Sequence, residues 1–290
     1  MRLLAFIDRG RRSIGAELDS DRIVDFNLAH RAMPVGMREF LELGDEGLEK
    51  ARKIMEKAPS GAILLKRDIH LCSPFSQMER PKIFCIGVNY ADHAAETGSK
   101  LSEEPVVFAK FPTSLIDPLD NIITPPNSTM LDYEVELVVV IGKRAKRVPQ
   151  TEAYDYVIGY TCGNDVSERQ FQRSDRQWLR AKSSDTFAPT GPVLVTKDEI
   201  PDPHDLTLGS KVNGEVRQNY HTRHMVFKVP KLIEFISHYL TLEPGDMIFT
   251  GTPPGVGLGF KPPRLLHPGD RVEVWIEKIG SVVNTVVGSE

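Results

Sequence analysis

Three carboxylates carry the first chemical signal in this chain. Glu134 and Glu136 stand in LDYEVELVVVIGKR, whose alternating, β-branched character reads as a strand, and Asp165 stands in GYTCGNDVSERQ, just after a second strand-like run, DYVIGY. Residues two apart on a strand project to the same face. Glu134 and Glu136 therefore share a face with Val138 and Val140, while Val135, Leu137 and Val139 take the other. Burying unpaired carboxylates on so apolar a strand is costly. Either this face is solvated and Asp165 is a turn residue, or the carboxylates hold a cation. An all-oxygen donor set suits a hard ion, Mg²⁺, Mn²⁺ or Ca²⁺, rather than Zn²⁺.

Other residues could work beside such an ion. In NYADHAAETG, His93 and Glu96 are three apart and become neighbours if the segment is a helical turn. A histidine oriented by a carboxylate makes a general base near neutral pH; the bland alternative is an exposed His on a surface helix. Lys182, in WLRAKSSDTFAPTGPV, either pairs with a substrate carboxylate or is a surface lysine in a loop. The stretch EPGDMIFTGTPPGVG runs from a strand into a Gly/Pro-rich loop. It lacks the Gly-Lys-Ser/Thr ending of a P-loop, and its prolines remove amide donors. Such a loop presents Thr252 and nearby backbone to a small anion, or is simply a tight connection. His221 and His224 have no Cys or further His nearby in sequence and make a poor zinc pair.

These residues need a scaffold of strands. Residues 1–28 read as three short strands and residues 37–57 as helix broken at Gly44 and Gly47, which with AILLKRDIHLCSP gives a small α+β lobe over residues 1–72. From residue 73 to 290 the chain is strand-rich. It carries a helix after Asp165, a second in VPKLIEFISHYLT, and an Asn-Gly hairpin signal in VNGEV. Many strands and few helices predict an α+β, mostly β body, a sandwich or rolled sheet, and argue against a doubly wound parallel fold. The 290 residues, 40% hydrophobic and 26% charged, are ordinary for a globular protein. A net charge of −4 leaves no footprint for nucleic acid, and no stretch is long and apolar enough for a membrane helix. Three cysteines without metal spacing read as free thiols in a reducing compartment, so a cytoplasmic location is expected.

Taken in order, NYADHAAETG, LDYEVELVVVIGKR, GYTCGNDVSERQFQ, WLRAKSSDTFAPTGPVLV, KVNGEV and GDMIFTGTPPGVG resemble the motifs of the fumarylacetoacetate hydrolase family, over roughly residues 73–290. The resemblance is to its branch of short fumarylacetoacetate-hydrolase-domain-containing proteins. It implies a mixed β-sandwich roll, a homodimer, one Mg²⁺ or Mn²⁺, and a small 2-oxo acid substrate. It also implies roles: Glu134, Glu136 and Asp165 as metal ligands, His93 and Glu96 as the water-activating dyad, and Lys182 as the active-site lysine. Arg169, Gln172 and Thr252 fall at substrate-contacting positions. Two positions depart from related patterns. Ile86 stands where liver-type members carry a further metal-binding Asp, and Val88 stands where some acylpyruvate-cleaving relatives have Arg. The expected reaction is metal-dependent C–C hydrolysis or decarboxylation of β-diketo or β-keto 2-oxo acids. The alternatives are an isomerase or tautomerase, a diketo-sugar-acid hydrolase, or a non-enzymatic, metal-stabilised binding module.

Overall fold

The carboxylate-bearing strand lies at the middle of a large sheet. In the computed structural model, which describes residues 1–289, Val135–Ile141 runs antiparallel between Val157–Asn164 and Met247–Phe249. Beyond Met247–Phe249 come the parallel strand Ile83–Gly87 and then Val106–Lys110. Beyond Val157–Asn164 come Ala188–Thr196 and the N-terminal strands Arg2–Asp8, Arg11–Glu17, Arg22–Asp25 and Ile63–Leu65. A second sheet of five strands is ordered Glu215–His221, Thr207–Val212, Arg271–Ile276, Gly280–Val287 and Ile122–Ile123. Neighbouring strands are mostly antiparallel, so the fold is mixed α+β with strand predominant, as the sequence predicts.

The alternation along residues 134–141 separates two cores. Val135, Leu137, Val139 and Ile141 pack in one cluster with Leu208, Val272, Val274 and Val282 of the second sheet. Val138 and Val140 pack in another with Phe26, Met37, Phe40 and Leu41 from the N-terminal segment. Glu134 and Glu136 sit at the end of that second face, where the apolar cover gives way to the site.

The first 72 residues are joined to the rest by continuous sheet, with Arg2 opposite Val195 and Leu3 opposite Leu194. The division expected near residue 72 follows the strand His70–Cys72, which itself pairs with Arg2–Asp8. The helical region breaks once, at Gly44, whose φ of +59° ends Met37–Glu42; Gly47 continues inside Gly44–Glu56. The helix expected over residues 167–178 is shorter, Arg169–Ser174, and a second short helix, Leu179–Ser183, follows that stretch and carries Lys182.

Gly163 leaves room for the strand crossing beside the site. A Cβ there would lie 2.4 Å from Phe249 Cε1 and 2.7 Å from Val138 Cγ2. Gly163→Ala is therefore expected to destabilise the fold by roughly 1–3 kcal/mol through overpacking. Urea unfolding followed by circular dichroism checks this; an unchanged midpoint would show that the wall yields freely.

Candidate active site

The edge where the apolar strand face ends gathers the predicted carboxylates. Glu134 precedes the strand Val135–Ile141, and its backbone N–H donates to Asn164 Oδ1 at 3.0 Å, while Asp165 N–H donates to Glu134 O at 2.9 Å. These bonds hold two chain turns side by side. One carboxylate oxygen from each of Glu134, Glu136 and Asp165 lies within 4.8 Å of the others, and all three residues are buried.

Cations of the protein meet two of the three. Lys182 Nζ donates to Glu134 Oε2 at 2.8 Å and to Asp165 Oδ2 at 2.7 Å. Lys110 Nζ lies 2.6 Å from Asp165 Oδ1 and also donates to the Phe187 carbonyl at 2.9 Å. Arg169 bridges Asp132 Oδ2 at 2.8 Å and Glu134 Oε1 at 2.6 Å, and its Nη1 donates to Gln172 Oε1 at 3.0 Å. Burial alone would raise the Glu134 pKa, but Lys182 and Arg169 overcome it and hold this carboxyl well below its usual range. Burial works against the charge of Lys182 too, yet Asp165 and Glu134 raise its pKa on balance, so it stays an ammonium.

Glu136 is different. It is 1% exposed, and among the described residues its carboxylate accepts only the Gly251 N–H, at 2.7 Å. Burial first, then the charges of Asp165 and Glu134, push its pKa well above the normal value.

A cavity of about 260 Å³ opens beside this cluster, lined by His93, Glu134, Arg169, Gln172, Lys182 and Thr252 among others. His93 and Glu96 lie on the helix Ala91–Thr97, with His93 Nδ1 2.9 Å from Glu96 Oε1. Gly255 N–H donates to both Glu96 oxygens, at 3.1 and 2.9 Å, and so fixes the carboxylate that orients the imidazole. Nδ1 is thereby engaged, and Nε2 makes no protein hydrogen bond among the described residues. Thr252 reaches the cavity wall, but its hydroxyl donates to Val135 O at 2.9 Å and accepts from Gln218 Nε2 at 2.8 Å. No hydroxyl proton remains for a substrate anion. Val88 lines the same cavity with φ +55°, a strained conformation for a β-branched residue.

A family model, the fumarylacetoacetate (FAA) hydrolase C-terminal, matches residues 82–287. The chain belongs to the fumarylacetoacetate hydrolase family. It is 45% identical over 267 residues to a Bos taurus protein named oxaloacetate tautomerase FAHD2A, mitochondrial, covering 91% of this chain and 84% of that one. Among solved structures it resembles a fumarylacetoacetate hydrolase from Exiguobacterium antarcticum, with a TM-score of 0.86 and 35% identity over the whole of both chains. It also resembles a 5-carboxymethyl-2-hydroxymuconate delta-isomerase from Mycobacterium smegmatis, with a TM-score of 0.78 and 33% identity, again over both whole chains. This is a family of enzymes, and its members named here carry hydrolase, isomerase and tautomerase names.

The cluster in this family member fits a hard divalent cation. Asp132, Glu134, Glu136 and Asp165 bring four acids, and Lys110, Arg169 and Lys182 bring three bases. Glu136 is the acid left over: it is buried without a cationic contact among the described residues, a setting that favours its neutral form and that an ion sharing its charge would relieve. His221 and His224 join no group of three potential ligands among the described residues. The structure adds residues that the sequence did not single out. Lys110 was legible as a lone lysine in the apolar strand PVVFAKF, and Asp132 as a third acid near Glu134. Gln218 had no such signal: it comes from the second sheet to bond Val135 N–H and Thr252. Arg173 faces the cavity with no ion pair among the described residues.

Two substitutions separate paired from unpaired acids. Lys182→Met strands Glu134 and Asp165 and is expected to cost about 3–5 kcal/mol of stability. Glu136→Gln is expected to be neutral or stabilising in metal-free protein, and to abolish the rise in Tm that Mg²⁺ or Mn²⁺ gives the wild type. Thermal melts with EDTA and with added metal check both. A Glu136→Gln protein that keeps the full metal-induced shift would contradict the assignment.

Proposed function

We propose that this protein catalyses keto–enol tautomerisation of a small 2-oxo dicarboxylic acid, oxaloacetate or a close analogue. The choice of tautomerase among the family's reactions is carried by the 45% identity to a relative with that name. The geometry supports the reaction class: an oriented imidazole and a cation-lined cavity of about 260 Å³ share one wall.

The residues take complementary parts. His93, held by Glu96 and Gly255, would accept the proton of the C–H bond next to the 2-oxo carbon at Nε2. The C–H electron pair becomes the new C=C bond, and a proton then goes to the former carbonyl oxygen. Nothing is lost or gained overall. Glu134, Glu136 and Asp165 would hold a divalent ion, Mg²⁺ or Mn²⁺, which would supply Lewis-acid polarisation of the 2-oxo group. Lys182 donates to both Glu134 and Asp165, keeping the two carboxylates in place and Glu134 ionised. Arg169 with Gln172 shapes the next part of the wall. Arg173 offers a cation to the outer carboxylate, and the Thr252 hydroxyl, already donating to Val135 O, has no proton to give it.

A second reading, C–C hydrolysis or decarboxylation, is favoured by the likeness to the hydrolase from Exiguobacterium antarcticum. The same dyad would then deprotonate a water, or the same enolate would arise by loss of CO₂. The substrate partner is a small molecule on either reading, and homodimeric assembly belongs to the same proposal. Three buried free thiols support a reducing compartment. The bovine relative is named mitochondrial, so the cytoplasmic expectation gives way to that wider statement.

The test follows enol and pyruvate together. With oxaloacetate and Mg²⁺, the protein should speed equilibration of the enol absorbance without matching pyruvate release. His93→Ala should lower kcat by roughly 10²–10⁴. Pyruvate formed as fast as the enol signal decays would replace this reading by the second one, and an unaffected His93→Ala would remove the dyad from both.

A further inference from the structure

Away from the cavity, another group of three side chains lies close enough to share one ion. His70 and Cys72 are two apart on the strand His70–Cys72 and project to one face. Asp117 follows the strand Leu115–Ile116 in the body of the protein. One ligand atom from each residue, a ring nitrogen, a thiol sulfur and a carboxylate oxygen, lies within 4.8 Å of the others. Asp117 is held in position on its other side. Its Oδ1 accepts from the Ser73 N–H at 2.7 Å, and its own N–H donates to Asp120 Oδ2 at 3.1 Å. Asp117 Oδ2, 3.4 Å from His70 Nε2, is left for a ligand. Cys72 is fully buried while His70 is half-exposed, so the group has an inner ligand and a solvent-side entrance.

The donor set differs in kind from that of the carboxylate site. Imidazole and thiolate select a borderline-soft ion, and three protein ligands with a water complete the four-coordination that Zn²⁺ prefers. Mg²⁺ and Ca²⁺ are disfavoured by the sulfur. Arg12, which donates to the Ser73 carbonyl at 3.2 Å, opposes a cation here, and the Asp120 carboxylate offsets it.

We infer that His70, Cys72 and Asp117 form a second metal site, for Zn²⁺, which clasps the strand at residue 70 to the loop at residue 117. On binding, the Cys72 S–H bond breaks, its proton leaves to solvent, and the sulfur lone pair bonds the metal. Uptake therefore releases a proton and weakens as the pH falls. This inference does not depend on which reaction the cavity performs.

Co²⁺ is the probe, titrated into the metal-free full-length protein. One equivalent should give a thiolate-to-cobalt charge-transfer band, which one equivalent of Zn²⁺ bleaches. The band should vanish in Cys72→Ser and in His70→Ala, and should survive in Glu136→Gln. Zn²⁺ should raise the Tm of Glu136→Gln and not that of His70→Ala combined with Glu136→Gln. The half-exposed His70 makes its alanine variant a substitution that the fold tolerates, so the test does not rest on the buried cysteine. No band in the wild type, a band retained in His70→Ala, or a band lost in Glu136→Gln would each overturn the assignment.

Discussion

A buried cluster of opposite charges is the constraint on which the rest of this molecule depends. Four acids and three bases are withdrawn from water at one end of the central strands, an arrangement that is costly unless almost every charge meets a partner. The partners come from distant parts of the chain. Lys110 ends an edge strand, Arg169 begins a helix, Lys182 sits on another, Asp132 ends the short strand Leu131–Asp132, Glu134 and Glu136 stand at the start of Val135–Ile141, and Asp165 follows Val157–Asn164. The cluster therefore exists only when the sheet is assembled. One acid, Glu136, is left without a cationic partner among the described residues, and that gap is the feature of the cluster that suits a divalent cation.

The surrounding layers keep this cluster dry and fixed. The second sheet covers one face of the strand Val135–Ile141, and Gln218 from that sheet ties the strand to the loop at Thr252. The N-terminal segment covers the other face through Phe26, Met37, Phe40 and Leu41. Glycines mark the close approaches. At Gly251, with φ +96°, a Cβ would lie 2.7 Å from Asn89 Cβ, and this loop must come that near to present its N–H to Glu136.

The sequence was most informative where period and chemistry coincide. The two-residue alternation of residues 134–141 placed Glu134 and Glu136 on one face, and the three-residue spacing of His93 and Glu96 placed them in contact once a helix formed. Partnership across the fold was not legible. Lys182 could not be told from a loop lysine until the fold set it between Glu134 and Asp165. Thr252 read as an anion donor because sequence does not reveal that Val135 O and Gln218 already occupy its hydroxyl. The N-terminal strands were visible as strands, but their pairing with Ala188–Thr196 joins residues about two-thirds of the chain apart, for which no local pattern exists.

The most direct measurement is anomalous diffraction from a crystal equilibrated with Mn²⁺ at the manganese absorption edge. A peak bounded by carboxylate oxygens of Glu134, Glu136 and Asp165 is expected, with Glu136 in direct contact with the ion. A map with no peak there at saturating Mn²⁺, and Glu136 still bonded only to the Gly251 N–H, would contradict it.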